Sequence, residues 1–166
     1  FEGLANGEEF GHRIAGGGDF DGDGIADVII GAPGSDGNGV NSGRAYVYSG
    51  ADFSLLCTLN GPSSNDRLGS GVAFVGDLDG DGRDEIACGA QDASTGGGLV
   101  FVYRWTGTAC QAVFLLNPGT PSLDFGLWFM NGGGDVNGDG TPDIYANDYQ
   151  LNRAHVFSGA TGAKLW

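Results

Sequence analysis

Short apolar runs alternate with glycine-rich polar stretches along the whole chain, and the runs come back at a fixed spacing. The segments "HRIAGGG", "SGVAFVG" and "LWFMNGG" are each followed, across an acidic loop, by "ADVIIGAP", "DEIACGAQ" and "PDIYANDY", and then by "GRAYVYSG", "GLVFVYRW" and "NRAHVFSG". Their length, their β-branched and aromatic content and the Gly, Ser, Asn and Asp clusters between them predict strands. In the third set, alternation places Tyr46 with Tyr48, Phe101 with Tyr103, and His155 with Phe157 on one face. A fourth strand is predicted in "SLLCTLNG" and in "QAVFLLNPG", and no stretch has the pattern of a long amphipathic helix.

The acidic loops "DFDGDGIAD", "DLDGDGRDE" and "DVNGDGTPD" begin at Asp19, Asp77 and Asp135, fifty-eight residues apart each time. The chain is therefore three copies of one unit, and self-similarity at such a period decides the architecture before any local detail. Four antiparallel strands per unit fit a propeller blade, which packs face to face on its neighbours. The predicted fold is all-β, a single propeller segment of three blades. Residues 1–9 finish a preceding outer strand and linker; 10–67, 68–124 and 125–166 are the repeats, the last with an incomplete outer strand. Closed propellers use about four to eight blades, so two flat faces are left open. Residues 1–11 align with 59–69 and "SGATGAKLW" aligns with 49–57. Either the open faces meet further blades of a longer chain, or two copies join head to tail in a six-bladed ring.

Net charge is −14, yet 11 of the 21 acidic residues sit at the alternating loop positions. That concentration argues against a generally solubilising acidic surface. No basic stripe exists to neutralise phosphates, which excludes nucleic acid as a partner, and no apolar run is long enough to insert in a membrane. Hard oxygen donors at such spacing suit Ca²⁺, with glycines at loop positions 4 and 6 letting the backbone curl. Three structural sites are predicted. The first is Asp19, Asp21, Asp23, the Ile25 carbonyl and Asp27; the second is Asp77, Asp79, Asp81, the Arg83 carbonyl and Glu85. The third is Asp135, Asn137, Asp139, the Thr141 carbonyl and Asp143. Turn formation alone explains one Asp-Gly loop, but not three in register.

Phe10-Gly11, the loop "DFDGDGIAD" and the "GAP" at Gly31 to Pro33 resemble the FG-GAP repeat of the integrin α-subunit propeller, and the resemblance covers essentially the whole chain. The second copy has Leu68-Gly69 and "GAQ"; the third keeps Phe125-Gly126 but has "AND" in place of "GAP". The resemblance implies calcium at the blade rim, ligand recognition at the opposite face, and an extracellular or cell-surface setting. A bacterial or other extracellular member of the family is expected, since Asn-x-Ser/Thr sequons are missing. The reading is a calcium-stabilised recognition, adhesion or scaffold module with a protein or glycan ligand. A carbohydrate-binding propeller and a non-catalytic part of a polysaccharide-acting enzyme are the alternatives.

Catalytic signatures are lacking. His12 and His155 occupy non-equivalent strand positions away from any arranged nucleophile, and read as structural. Trp105, Trp128 and Trp166 would pack between blades, or stack on sugars where exposed. Cys88 reads as a small buried hydrophobe. Cys57 and Cys110 lie near outer strands of adjacent copies, where a bridge is one of two open outcomes.

Overall fold

The computed structural model describes residues 1–93 and 96–166. It contains β1 (Arg13–Gly16), β2 (Val28–Ala32), β3 (Arg44–Tyr48), β4 (Leu55–Asn60), β5 (Leu68–Gly76), β6 (Glu85–Ala90), β7 (Leu99–Trp105), β8 (Cys110–Leu116), β9 (Phe125–Gly132), β10 (Ile144–Asp148) and β11 (Arg153–Phe157). The strands form two four-stranded sheets, β1-β2-β3-β4 and β5-β6-β7-β8, and a three-stranded one, β9-β10-β11. All neighbours within a sheet are antiparallel. Among the described residues there is no helix long and apolar enough to cross a membrane.

Each predicted strand is present, and each sheet is one repeat. The third sheet has three strands. Residues 164–166 run beside its β11, where Phe157 bridges Lys164 and the Leu165 amide donates to the Val156 carbonyl at 2.8 Å.

Strand alternation sends successive side chains to opposite faces, and here each face becomes an inter-sheet core. Ile29, Ala45 and Val47 of the first sheet pack with Leu68, Ile86, Cys88 and Ala90 of the second. The other side of the second sheet, with Val75, Ala87, Val100, Val102 and Leu116, packs with Phe125, Ile144, Ala146 and Phe157. The larger of these side chains, Ile29, Leu68 and Phe125 among them, are fully buried and contribute about 1.5–3 kcal/mol apiece. The aromatic pairs expected on the third strands are present, with Tyr46 and Tyr48 stacked at 6.5 Å and Phe101 and Tyr103 at 6.4 Å.

Cys57 on β4 and Cys110 on β8 form a disulfide that ties the outer strands of the first two sheets across a sequence separation of 53. Cys88 is buried and free. The N-terminal residues fold back on the first sheet. The Phe1 ring lies 4.4 Å from Tyr48, and Phe10 lies 5.4 Å from Tyr46.

Candidate metal centres

Each acidic loop joins the first and second strands of its sheet, and two glycines shape it. Gly22 and Gly24, Gly80 and Gly82, and Gly138 and Gly140 all have φ between 76° and 91°, the left-handed region that a Cβ disfavours. The curl turns successive amides inward onto the first carboxylate. Asp19 Oδ1 accepts from the Gly22 and Asp23 amides at 2.7 and 3.1 Å, and Oδ2 accepts from Gly24 at 2.8 Å. Asp77 and Asp135 accept the same three amides in their own loops. Those donors, the Gly140 amide foremost, hold the Asp135 carboxyl below its ordinary range.

The ninth position anchors the loop to the sheet. Asp27 is buried; its Oδ2 accepts from the Phe20 and Asp21 amides at 2.7 and 3.2 Å, and its Oδ1 from the Gly50 amide at 2.9 Å. Asp143 repeats this with Val136, Asn137 and Gly159. Glu85, one methylene longer, takes the Leu78 amide at 2.6 Å. Burial, with the negative charges of Asp79, Asp77 and Asp81 adding to it, pushes the Glu85 carboxyl up to about 7. Asp21 is raised too, first by burial and then by Asp27.

The first, third and ninth positions converge. Carboxylate oxygens of Asp19, Asp21 and Asp27 lie within 4.8 Å of one another, as do those of Asp77, Asp79 and Glu85. Both clusters could hold a metal ion, being all-oxygen donor sets of the kind hard cations select. The fifth-position acids Asp23, Asp81 and Asp139 instead accept from the seventh-position amides of Ile25, Arg83 and Thr141 at 2.8–2.9 Å. In the third loop Asn137 Nδ2 donates to Asp139 at 2.9 Å and to Asp143 Oδ1 at 3.4 Å, so an amide stands where the other loops bring a third carboxylate.

The loops of neighbouring repeats are also stitched to one another, through residues that the repeat pattern does not single out. Asp84 Oδ2 accepts from the Asp19 amide at 3.0 Å and the Asp84 amide donates to the Asp19 carbonyl at 2.8 Å. Arg83 Nε donates to the Asp21 carbonyl at 3.0 Å; within the second repeat itself, Arg104 pairs with Asp79 at 3.2 Å. Asp84 lies between two alternating loop positions, so period-two reading passes over it; an arginine next to an acid facing the preceding loop was the available signal.

Residues 10–48 and 68–103 match the FG-GAP repeat. Integrin alpha-5 of Xenopus laevis is 31% identical over 96% of this chain and 16% of its own length. Human integrin alpha-IIb is 31% identical over 89% of the chain and 15% of its length, and chicken (Gallus gallus) integrin alpha-V 30% over 84% and 15%. The chain thus spans about a sixth of the length of these relatives.

Proposed function

Because this chain carries FG-GAP repeats and shares 30–31% identity with integrin α subunits, we propose that it is a calcium-binding propeller segment for extracellular recognition or adhesion. Its ion sites are structural. The observation that carries the reading is the first loop, where the Asp19, Asp21 and Asp27 carboxylates converge and no cationic side chain pairs with any of them among the described residues. Like charges at such a distance repel, and a divalent cation relieves the repulsion while using the same oxygens as ligands.

Calcium suits the sets better than magnesium, since it accepts six to eight oxygens in flexible geometry. The ligands are those of the three loops: Asp19, Asp21, Asp23, the Ile25 carbonyl and Asp27, with their counterparts in the second and third. The fifth-position acids take the seventh-position amides on Oδ1, which leaves Oδ2 as the oxygen through which they would join. The third loop, with Asn137 in place of an acid, binds most weakly.

The proposal assigns no catalysis, because the loop acids are engaged with backbone amides. Its partners are a protein or glycan ligand and further blades of a longer chain, and the Cys57–Cys110 disulfide suits an oxidising extracellular setting.

Calcium linkage tests the metal assignment. Free calcium at about a hundredfold excess over the dissociation constant adds about 2.7 kcal/mol, so melting followed with and without chelator is expected to differ by several degrees. Identical melting curves in calcium and in EDTA would refute it. Binding to an array of glycans and extracellular-matrix proteins separates the two ligand classes.

A further inference from the structure

Arg83 and Asp84 serve two loops at once. By sequence they belong to the second acidic loop, where two of the proposed ligands, the Arg83 carbonyl and Glu85, stand on either side of the Asp84 side chain. In space they also brace the first loop. Asp84 Oδ2 accepts from the Asp19 amide at 3.0 Å, and the Asp84 amide donates to the Asp19 carbonyl at 2.8 Å. Its carboxylate lies so near Gly18 that a Cβ there would come within 2.9 Å of Oδ2. Arg83 lies in the same way over Gly22, and its Nε donates to the Asp21 carbonyl at 3.0 Å. Three hydrogen bonds from two residues of the second repeat thus hold the backbone of Asp19 and Asp21, two of the three acids that converge in the first.

The second and third loops have no such joint. Fifty-eight residues on, Thr141 and Pro142 take the places of Arg83 and Asp84. Proline has no amide hydrogen to give, and the threonine side chain is far shorter than a guanidinium arm. Pro142 approaches the second repeat only with its ring, since a Cβ at Gly76 would meet its Cγ and Cβ at 3.4 and 3.5 Å. Among the described residues no hydrogen bond joins the loop at 77–85 to the loop at 135–143.

We infer that the first two loops bind calcium with positive coupling, carried by Arg83 and Asp84, and that the third binds independently. The inference rests on the calcium reading above and takes over its ligand sets. Filling the second loop fixes residues 83 to 85. Asp84 then holds the Asp19 backbone in place before the first loop is filled, so the first loop has less freedom left to lose on binding. Linkage makes the effect reciprocal. Arg83 Nη1 also reaches Asp81 Oδ2 at 3.2 Å; that bond gives way when the second loop fills, whereas the three to the first loop are kept. Mutual repulsion of two cations acts in the opposite direction and is weakened by salt.

The test is a calcium titration of the isotope-labelled full chain at physiological ionic strength, followed by NMR. The amides of Gly24, Gly82 and Gly140 each bond to the first acid of their own loop, so each reports on one site. D79N disables the second loop while keeping the oxygen that accepts the Asp81 amide. It is expected to weaken calcium binding at Gly24 by about fivefold or more and to leave Gly140 unchanged. D21N is expected to weaken binding at Gly82 by the same factor. In a chain carrying R83T and D84A, folded by circular dichroism, D79N is expected to have no effect at Gly24; R83T alone, which removes a single bond to the first loop, gives a reduced effect. An unchanged or tighter Gly24 site in D79N overturns the coupling, and a full effect that survives R83T overturns its assignment to these residues. If none of the three glycines responds to calcium, the calcium reading falls and the coupling with it, an outcome distinct from three sites that respond independently.

Discussion

At Asp27 one carboxylate accepts from three amides, those of Phe20, Asp21 and Gly50, and so joins the acidic loop to the turn between β3 and β4. Asp27→Ala leaves these donors without an acceptor and costs about 1–3 kcal/mol even in chelator, as a urea titration would show. Asp27→Asn keeps one acceptor oxygen, enough for the Phe20 and Asp21 amides but not for Gly50, and is expected to lower calcium affinity more than metal-free stability. A second residue with a readable consequence is His155, buried at the position where the second repeat has Phe101. Its pKa is lowered below 6.5, first by burial and then by Lys164, against the opposing pull of Asp148 3.7 Å away. The unfolded chain therefore takes up this proton at higher pH than the folded one. Its contribution to stability is complete above the unfolded value and is lost as pH falls from about 6.5 toward the folded one. H155F should flatten the decline of melting temperature over that window, at some cost in stability at every pH, because Asp148 Oδ1 keeps the Ser122 hydroxyl and the Leu151 amide while its buried Oδ2, already without a hydrogen-bond partner, loses the neighbouring imidazole. The sequence showed the loop acids because they recur. It did not show Asp84 or the Gly50 amide, because their partners lie across a sheet or in another repeat.

Between elements, the Cys57–Cys110 bridge is the one disulfide among the described residues, and it spans two sheets rather than closing a hairpin. A loop of this length removes about 4 kcal/mol worth of freedom from the unfolded chain. The C57S/C110S double variant should unfold at correspondingly lower urea concentration, and reductant should do the same to the parent. From spacing alone, three cysteines permit three pairings. Only the placement of β4 beside β8 selects this one. The strands themselves were legible, since apolar alternation and glycine punctuation mark all eleven. The bulge in β9, where Ala146 pairs with Met130 and Asp148 with Phe125, was visible only as one extra residue before the acidic loop; its effect, the Trp128 and Phe129 rings expelled from the face, depends on how β10 holds the register.

For the molecule as a whole, the fifty-eight-residue period conveyed the architecture because each unit can bury its faces only against its neighbours. Three repeats therefore have two internal interfaces and two open ends, and the ends are chemically unlike. The period says nothing about that difference. It lies in residues such as Asn147, where the first two copies have Gly31 and Gly89. The same unevenness applies to the chain's connections. The first two sheets are joined twice, by the linker at 61–67 and by the outer-strand sulfurs, whereas residues between 117 and 124 are the only covalent path to the third. A protease cut in the first linker would leave both pieces travelling together on a gel until thiol is added. A cut in the second would free the C-terminal piece at once, with or without reductant.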